Sequence, residues 1–372
     1  MQARHTFSIP LMRPIVDEEM LQAALFSLQN EKLVMGESVY KFEEEFARYC
    51  GVRYAVSTAS GTAAIQIAVQ SIGIEGNDEV ITTPFSFFAT SNAVIHAGAE
   101  PRFADVENDG FNLDPHKVEA RLTPKTRAII PVHLYGHPAR MDEFRDLADD
   151  KGVSIIEDAC QAHGAEFNGK RLGSLGHVGC FSFYTSKNMT VCGDGGMIVT
   201  NDEQVADAAR SFRDCGRTSR YTMQRIGYTS RLNTVNAAIG RVQLRRLDKW
   251  NEARRKTAKI YRTELEGAGG VELPPTETPG GTPVYHLFVV RSNHRDQLSL
   301  HLEKNGVEAA IHYPIPIHLQ APYRTRYGYL EGSFPQAERL AGRVLSLPIH
   351  PAITEEEVRT VSRLVRDTTI SE

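Results

Sequence analysis

Two hydrophobic periods alternate along the chain as far as about Thr234: short continuous apolar runs, and longer stretches with apolar residues three or four positions apart. The first kind reads as strands: Tyr54-Ala-Val56, Glu79-Val-Ile-Thr-Thr83, Pro101-Arg-Phe-Ala-Asp105, Arg127-Ala-Ile-Ile-Pro-Val132, Val153-Ser-Ile-Ile156, Cys180-Phe-Ser-Phe183 and Met197-Ile-Val-Thr200. The second kind reads as helices over 62–72, 86–96, 115–121 and 141–151. Strands that alternate with helices predict an α/β domain with a mostly parallel seven-stranded sheet covered by helices. From about Thr234 the pattern changes to one long helix, with Val235, Ala238, Ile239, Val242, Leu247 and Trp250 on one face and Arg241, Arg245, Arg246 and Lys249 on the other. A Gly- and Pro-rich stretch, 267–283, then precedes a further strand, His286-Leu-Phe-Val-Val290. The expected division is a large domain with its N-terminal segment over 1–240, and the long connecting helix with a smaller C-terminal α/β domain over 241–372.

Composition narrows the function classes. With 41% hydrophobic and 24% charged residues in 372, the chain has the make-up of an ordinary globular protein with a sizeable core. A net charge of -4 without a long basic run argues against nucleic acid or an anionic membrane as the main partner, although 42 basic residues leave room for local anion sites. The first nine residues lack the apolar run of a signal peptide, and no stretch reaches the roughly 18 apolar residues of a spanning helix. A cytoplasmic protein is expected. Cys50, Cys160, Cys180, Cys192 and Cys215, odd in number and widely spaced, fit reduced thiols. His133 with His137, and Cys160 with His163, are short pairs that no second cluster completes, so no metal site is expected. Gly169, Gly173, Gly176 and Gly179 do not make the glycine turn of a nicotinamide site.

Three segments carry candidate chemistry. Lys187 lies between an apolar strand and the turn Gly193-Asp-Gly-Gly196, where a buried lysine beside a cationic ring becomes a nucleophile and proton carrier. Ser60-Gly61-Thr62 opens a helix, where unpaired amides and the helix dipole favour a phosphate; an ordinary N-cap is the plain alternative. Asp158 ends the strand that Val153 begins, at the carboxyl edge where open α/β sheets bind ligands. A carboxylate there keeps a pyridine nitrogen protonated, although a strand-end cap has the same sequence. Alternation turns its neighbour Glu157 the other way. Ser182, five residues before Lys187, is placed to touch phosphate or simply to pack, and Phe87 offers either a stacking face or a core ring. Together these groups look like a pyridoxal phosphate (PLP) site.

The order of motifs adds a resemblance. Gly36-Glu-Ser-Val-Tyr-Lys-Phe, Ser60-Gly-Thr-Ala-Ala64, Pro84-Phe-Ser-Phe-Phe88, Pro131-Val-His-Leu-Tyr-Gly136, Glu157-Asp-Ala-Cys-Gln-Ala-His-Gly164, Ser182-Phe-Tyr-Thr-Ser-Lys-Asn-Met189, Arg231-Leu-Asn-Thr-Val-Asn236 and Tyr313-Pro-Ile-Pro-Ile-His318 follow one another over nearly the whole length. In this the chain resembles the DegT/DnrJ/EryC1/StrS family of PLP-dependent nucleotide-sugar aminotransferases, which have the aspartate aminotransferase-like (type I) fold. The resemblance implies that Lys187 is the Schiff-base lysine and that Asp158 pairs with the pyridine nitrogen. It implies that Gln161 meets the ring hydroxyl, that Phe87 stacks on the ring, and that Ser60, Gly61, Thr62 and Ser182 hold the phosphate. It also implies a homodimer with shared active sites, in which the segment near Arg231 reaches the neighbour's site. Thr229 stands where the family often has a phosphate-touching Asn, and Asn233 or Arg231 is the candidate replacement. Tyr313 and His318 are candidate substrate-pocket residues, with packing against Pro314 and Pro316 as the alternative. The implied reaction moves an amino group from glutamate or glutamine to a keto group of a nucleotide-linked sugar, at C4 on the look of Lys187-Asn-Met-Thr. Rival readings are a PLP-dependent sugar dehydratase, which commonly has His in place of Lys187, and a non-catalytic PLP-binding regulatory protein.

Overall fold

The computed structural model describes residues 7–275 and 278–368. The two residues outside it in the Gly- and Pro-rich stretch, and those at the ends of the two expected domains, lie outside the described residues. The seven strand-like runs form one sheet from β1 (Tyr54–Thr58), β2 (Glu79–Thr82), β3 (Glu100–Phe103), β4 (Thr126–Ile130), β5 (Ser154–Asp158), β6 (Val178–Ser182) and β7 (Gly196–Thr200), in the order β1-β7-β6-β5-β4-β2-β3. Only β7 runs antiparallel to its neighbours, so the other strands all point their carboxyl ends to one edge.

Strand alternation explains why both faces are covered. Ile155, Phe181 and Val199 join a core with Phe42 and Phe46 of α2 (Glu37–Cys50), Phe144 of α6 (Met141–Lys151) and Leu244 and Leu247 of the long helix α8 (Thr234–Leu265). Their chain neighbours Ile156, Cys180 and Ile198 face the other way, onto α3 (Gly61–Ser71), α4 (Ala89–His96) and α7 (Glu203–Arg213). A short helix, α5 (Pro115–Glu119), adds Val118 to the first core.

The 32-residue helix α8 then leads from that core into a second, where Ala258, Tyr261 and Leu265 meet a two-stranded antiparallel sheet, β8 (Phe288–Arg291) and β9 (Val344–Leu347). Its arginine face is partly paired: Arg241 meets Glu45 at 2.6 Å and the exposed Arg245 meets Glu19 at 2.6 Å, linking it to α2 and to α1 (Glu18–Asn30). Helices α9 (Arg295–Lys304) and α12 (Glu355–Asp367) pack with the second core, while α10 (Ala321–Tyr327) and α11 (Pro335–Arg343) share a cluster with Phe103 of β3 and Val289 of β8 through Tyr323 and Leu340. The strand expected from His286 starts at Phe288, because the Leu287 amide donates to Tyr135 O at 3.3 Å and not to the partner strand. No helix among the described residues is long and apolar enough to cross a membrane.

Candidate active site

Loops after β1, β2, β5 and β6 meet at the common carboxyl edge of the sheet and enclose a cavity of about 680 Å³. Its wall includes Ser60, Gly61, Thr62, Phe87, Asp158, Gln161, Ser182, Lys187 and Tyr313, so nine of the sequence candidates share one space.

The anion end is built by close approach of backbones. Ser182 ends β6 and pairs in register with Gly196, which in turn faces Thr58 across β7. This brings β6 against the start of α3, where a Cβ on Gly61 would stand 2.6 Å from Ser182 Cβ and 2.9 Å from Cys160 Sγ; only glycine fits. Ser60 caps α3, its Oγ accepting from Ala63 N at 3.1 Å. The Gly61 and Thr62 amides are left in the cavity wall with no acceptor among the described residues. The Ser60 hydroxyl is thus the ordinary helix cap, and it leaves the Gly61 and Thr62 amides without a protein acceptor, a setting that favours an anion.

Asp158 ends β5 and is 4% exposed. Its Oδ1 accepts from Cys160 N at 3.1 Å and its Oδ2 from Thr90 Oγ1 at 2.7 Å, which fixes the plane of the carboxylate toward the cavity. Thr90 is in turn 3.0 Å from Ser86 Oγ. Glu157 points to the opposite face, where it accepts from Gly173, Leu175 and Gly176 amides and meets His133 Nε2 at 3.1 Å. That bond, with Ala139 N donating to His133 Nδ1, accounts for His133 without a metal.

Lys187 sits in the turn after β6, with its N–H on Tyr184 O at 2.8 Å. Burial lowers its pKa from the ordinary lysine value, against the opposing pull of Cys160 and Asp158. The neutral amine is therefore more accessible than in a solvated lysine. Gln161 is buried and held from both ends, accepting from Tyr135 N at 2.9 Å and donating to Tyr313 Oη at 3.3 Å. Burial pushes the Tyr313 phenol up, so it stays protonated. Phe87 precedes α4 and is 57% exposed, its ring 6.0 Å from that of Tyr313, which leaves an open aromatic face at the mouth.

Two candidates lie elsewhere. His318 is fully buried, 3.0 Å from Glu338 Oε1 and packed on Phe334 with ring centroids 4.8 Å apart. The short helical turn at 317–319 rotates it inward, so packing replaces the pocket role expected for it. Asn233 is exposed ahead of α8, outside the cavity wall, and makes no side-chain cap. Nearby, Arg231 is paired with Asp214 of its own chain, and Thr229 Oγ1 is 3.3 Å from Cys215 Sγ.

Several wall residues carried no sequence signal of their own. His286 comes from the segment that leads into β8, and Leu11 and Met12 from an N-terminal segment pinned by Leu11 N on Glu308 Oε2 at 2.8 Å. Their contribution depends on contacts 297 positions apart, which no local pattern carries. Thr90 was within reach: it stands three residues after Phe87, a spacing that stacks side chains on one helix face.

Comparison with known proteins gives the family of the chain. The model of the DegT/DnrJ/EryC1/StrS aminotransferase family matches residues 14–366. A dTDP-3-amino-3,4,6-trideoxy-alpha-D-glucose transaminase of Streptomyces venezuelae is 43% identical over 340 residues, covering 91% of this chain and 89% of that protein. A pleiotropic regulatory protein of Geobacillus stearothermophilus is 42% identical over 335 residues, 90% of each. Among solved structures, S. venezuelae DesV in complex with a ketimine intermediate superposes with a TM-score of 0.92 at 42% identity over 94% of both chains. The chain belongs to the DegT/DnrJ/EryC1/StrS aminotransferase family.

Proposed function

We propose that the protein is a PLP-dependent aminotransferase that moves an amino group from glutamate or glutamine to a keto group of a nucleotide-linked sugar. The observation that carries this reading is the half-buried Lys187 in one cavity with the doubly hydrogen-bonded Asp158 and the free amides of Gly61 and Thr62. These groups fit PLP: the narrow cradle at Gly61 admits a phosphate where a Cβ would clash, and Asp158 offers a fixed negative charge to a ring nitrogen. When bound, PLP supplies an aldehyde for the incoming amine and an electron-poor ring that accepts charge from the substrate carbon.

The roles proposed for the chain's own residues rest on the resemblance together with their shared cavity. The Gly61 and Thr62 amides and Ser182 hold the phosphate at the positive end of α3. Asp158, aimed by Thr90 and Cys160, orients the ring and stabilises its protonated nitrogen; Gln161 faces the ring hydroxyl and Phe87 covers the open side. Lys187 Nζ, whose basicity burial lowers, would take the proton that leaves the donor's α-carbon and relay it away from that carbon, and in the second half-reaction would deliver a proton to the sugar carbon that gains the amine. Tyr313 lies on the substrate side as a hydroxyl donor. For the ring position, Lys187-Asn-Met-Thr speaks for C4, while the name of the Streptomyces venezuelae relative speaks for C3. At 43% identity the relative weighs more, and C3 is the reading adopted here.

A second copy of the chain is part of the proposal. Leu21, Leu25 and Leu28 form an exposed apolar stripe on α1, and Phe26, Leu33, Val34 and Tyr40 nearby are also exposed, which supports a covered face. Light scattering at micromolar concentration is expected to give a dimer; a monomer contradicts the shared-site arrangement. Five free cysteines, with Cys192 exposed, support a reducing, cytoplasmic setting.

A regulatory reading is favoured by the name of the Geobacillus relative. Incubation of the PLP-loaded protein with amino-labelled glutamate or glutamine and a panel of 3-keto and 4-keto nucleotide sugars separates the two. Label in an aminated sugar, with its position fixed by NMR, supports the enzyme; no transfer from glutamate or glutamine to any sugar supports the regulator.

A further inference from the structure

Beside the main cavity lies a second, smaller space of about 30 Å³, which shares Met12, Ser186 and Lys187 with it and is closed by Arg254 and His350. Arg254, on α8, is 4% exposed. One terminal nitrogen donates to three carbonyls, Tyr285 O at 3.3 Å, His286 O at 3.3 Å and Ile349 O at 2.9 Å, while Nε has no partner. No carboxylate among the described residues pairs with it. Glu357, on the far side of His350, is taken by Arg13 at 3.6 Å and by Thr354. The contrast within the chain is informative: Arg213, 3% exposed, is buried directly on Glu43. Burial lowers the Arg254 pKa only to about 10, so the guanidinium is charged at neutral pH and lacks the anion that a buried charge requires.

We propose that Arg254 receives one carboxylate of the amino-acid donor while that donor's amine is at Lys187. A water occupies roughly 10–15 Å³ of such space, so the room beside Arg254 suits the two oxygens of a carboxylate better than a tetrahedral phosphate. A planar, always charged fork is the group that recognises a carboxylate with direction. This deepens the proposed function and rests on it, and glutamate offers two candidate carboxylates, at the α-carbon and at the side-chain end.

The test compares wild type with Arg254→Lys and Arg254→Gln in the PLP-loaded protein, following cofactor conversion by L-glutamate, by 4-aminobutanoate, which lacks the α-carboxylate, and by L-2-aminobutanoate, which lacks the distal one. The glutamate concentration for half-maximal conversion is expected to rise at least tenfold in Arg254→Lys and further in Arg254→Gln. The analogue that lacks the recognised carboxylate reacts poorly with wild type and is no worse with the variants, which identifies which carboxylate binds. Equal losses for all donors and for the keto-sugar half-reaction, or no loss at all, overturn the proposal and leave Arg254 a clamp for three carbonyls. If Arg254→Gln does not fold, Arg254→Lys and the analogue comparison decide. If wild type reacts with no amino acid, the proposed function fails; calorimetry with 2-oxoglutarate then still tests the carboxylate site, which predicts at least tenfold weaker binding to Arg254→Lys, and unchanged binding overturns it.

Discussion

A single methyl group at position 61 would stand 2.6 Å from Ser182 Cβ, at the end of β6, and 2.9 Å from Cys160 Sγ, in the turn after β5. Overpacking of this kind costs about 1–3 kcal/mol, and here it must push the start of α3 away from β6, where the phosphate is proposed to sit. Gly61→Ala is therefore expected to weaken PLP binding at least about tenfold, the equivalent of about 1.4 kcal/mol, in an equilibrium titration of the apoprotein. Unchanged affinity would show that the phosphate is held elsewhere. At this scale the sequence was informative wherever a residue's chemistry is local: Ser60, Gly61, Asp158 and Lys187 each sit at a strand end or helix start that their neighbours announce. It was uninformative for His318, whose inward rotation depends on Glu338 and Phe334, and for Arg254, whose missing anion is a property of what does not surround it.

Between elements, the Glu43 carboxylate is the main tie among α2, β1 and α7. It accepts from Ser57 N at 2.9 Å and Ser57 Oγ at 2.7 Å and pairs with Arg213, which also donates to Ser57 O at 2.9 Å. Both charges are buried, so the removal of one leaves the other uncompensated. Glu43→Gln is expected to destabilise the protein by about 3–5 kcal/mol in urea unfolding, since the amide no longer neutralises Arg213; a loss below about 1 kcal/mol, typical of a surface pair, contradicts this. The elements themselves were largely legible, because a buried parallel sheet imposes continuous apolar runs and its covering helices impose a period of 3.6. The α8 stripe was read correctly from Ile239 to Leu247, but the same helix also buries Asn251 and Arg254, polar residues that a hydrophobic period passes over. Asn251 is there because its amide donates to His163 O at 2.8 Å and accepts from Asn188, a tertiary arrangement without a sequence period.

Across the whole molecule, buried histidines set the response to acid. Burial lowers His137 to about 4 and His163 to about 3, and it holds His286 well below the ordinary value. In the unfolded chain each regains a pKa near about 6.5, so between that pH and about 4 the unfolded state binds more protons and stability falls as pH falls. Each contributes up to about 1.4 kcal/mol per pH unit. Unfolding free energies taken from pH 7 to 4.5 should decline through this window, and a flat profile would show that these rings are protonated in the native state. The central claim concerns the one site to which both halves of the chain contribute. It is tested most directly by the visible absorption of the purified protein with PLP, before and after glutamate, for wild type and Lys187→Ala. The account predicts a protein-bound band that wild type forms and glutamate bleaches, and that the variant does not form. A band of equal strength in Lys187→Ala, or none in wild type, contradicts it.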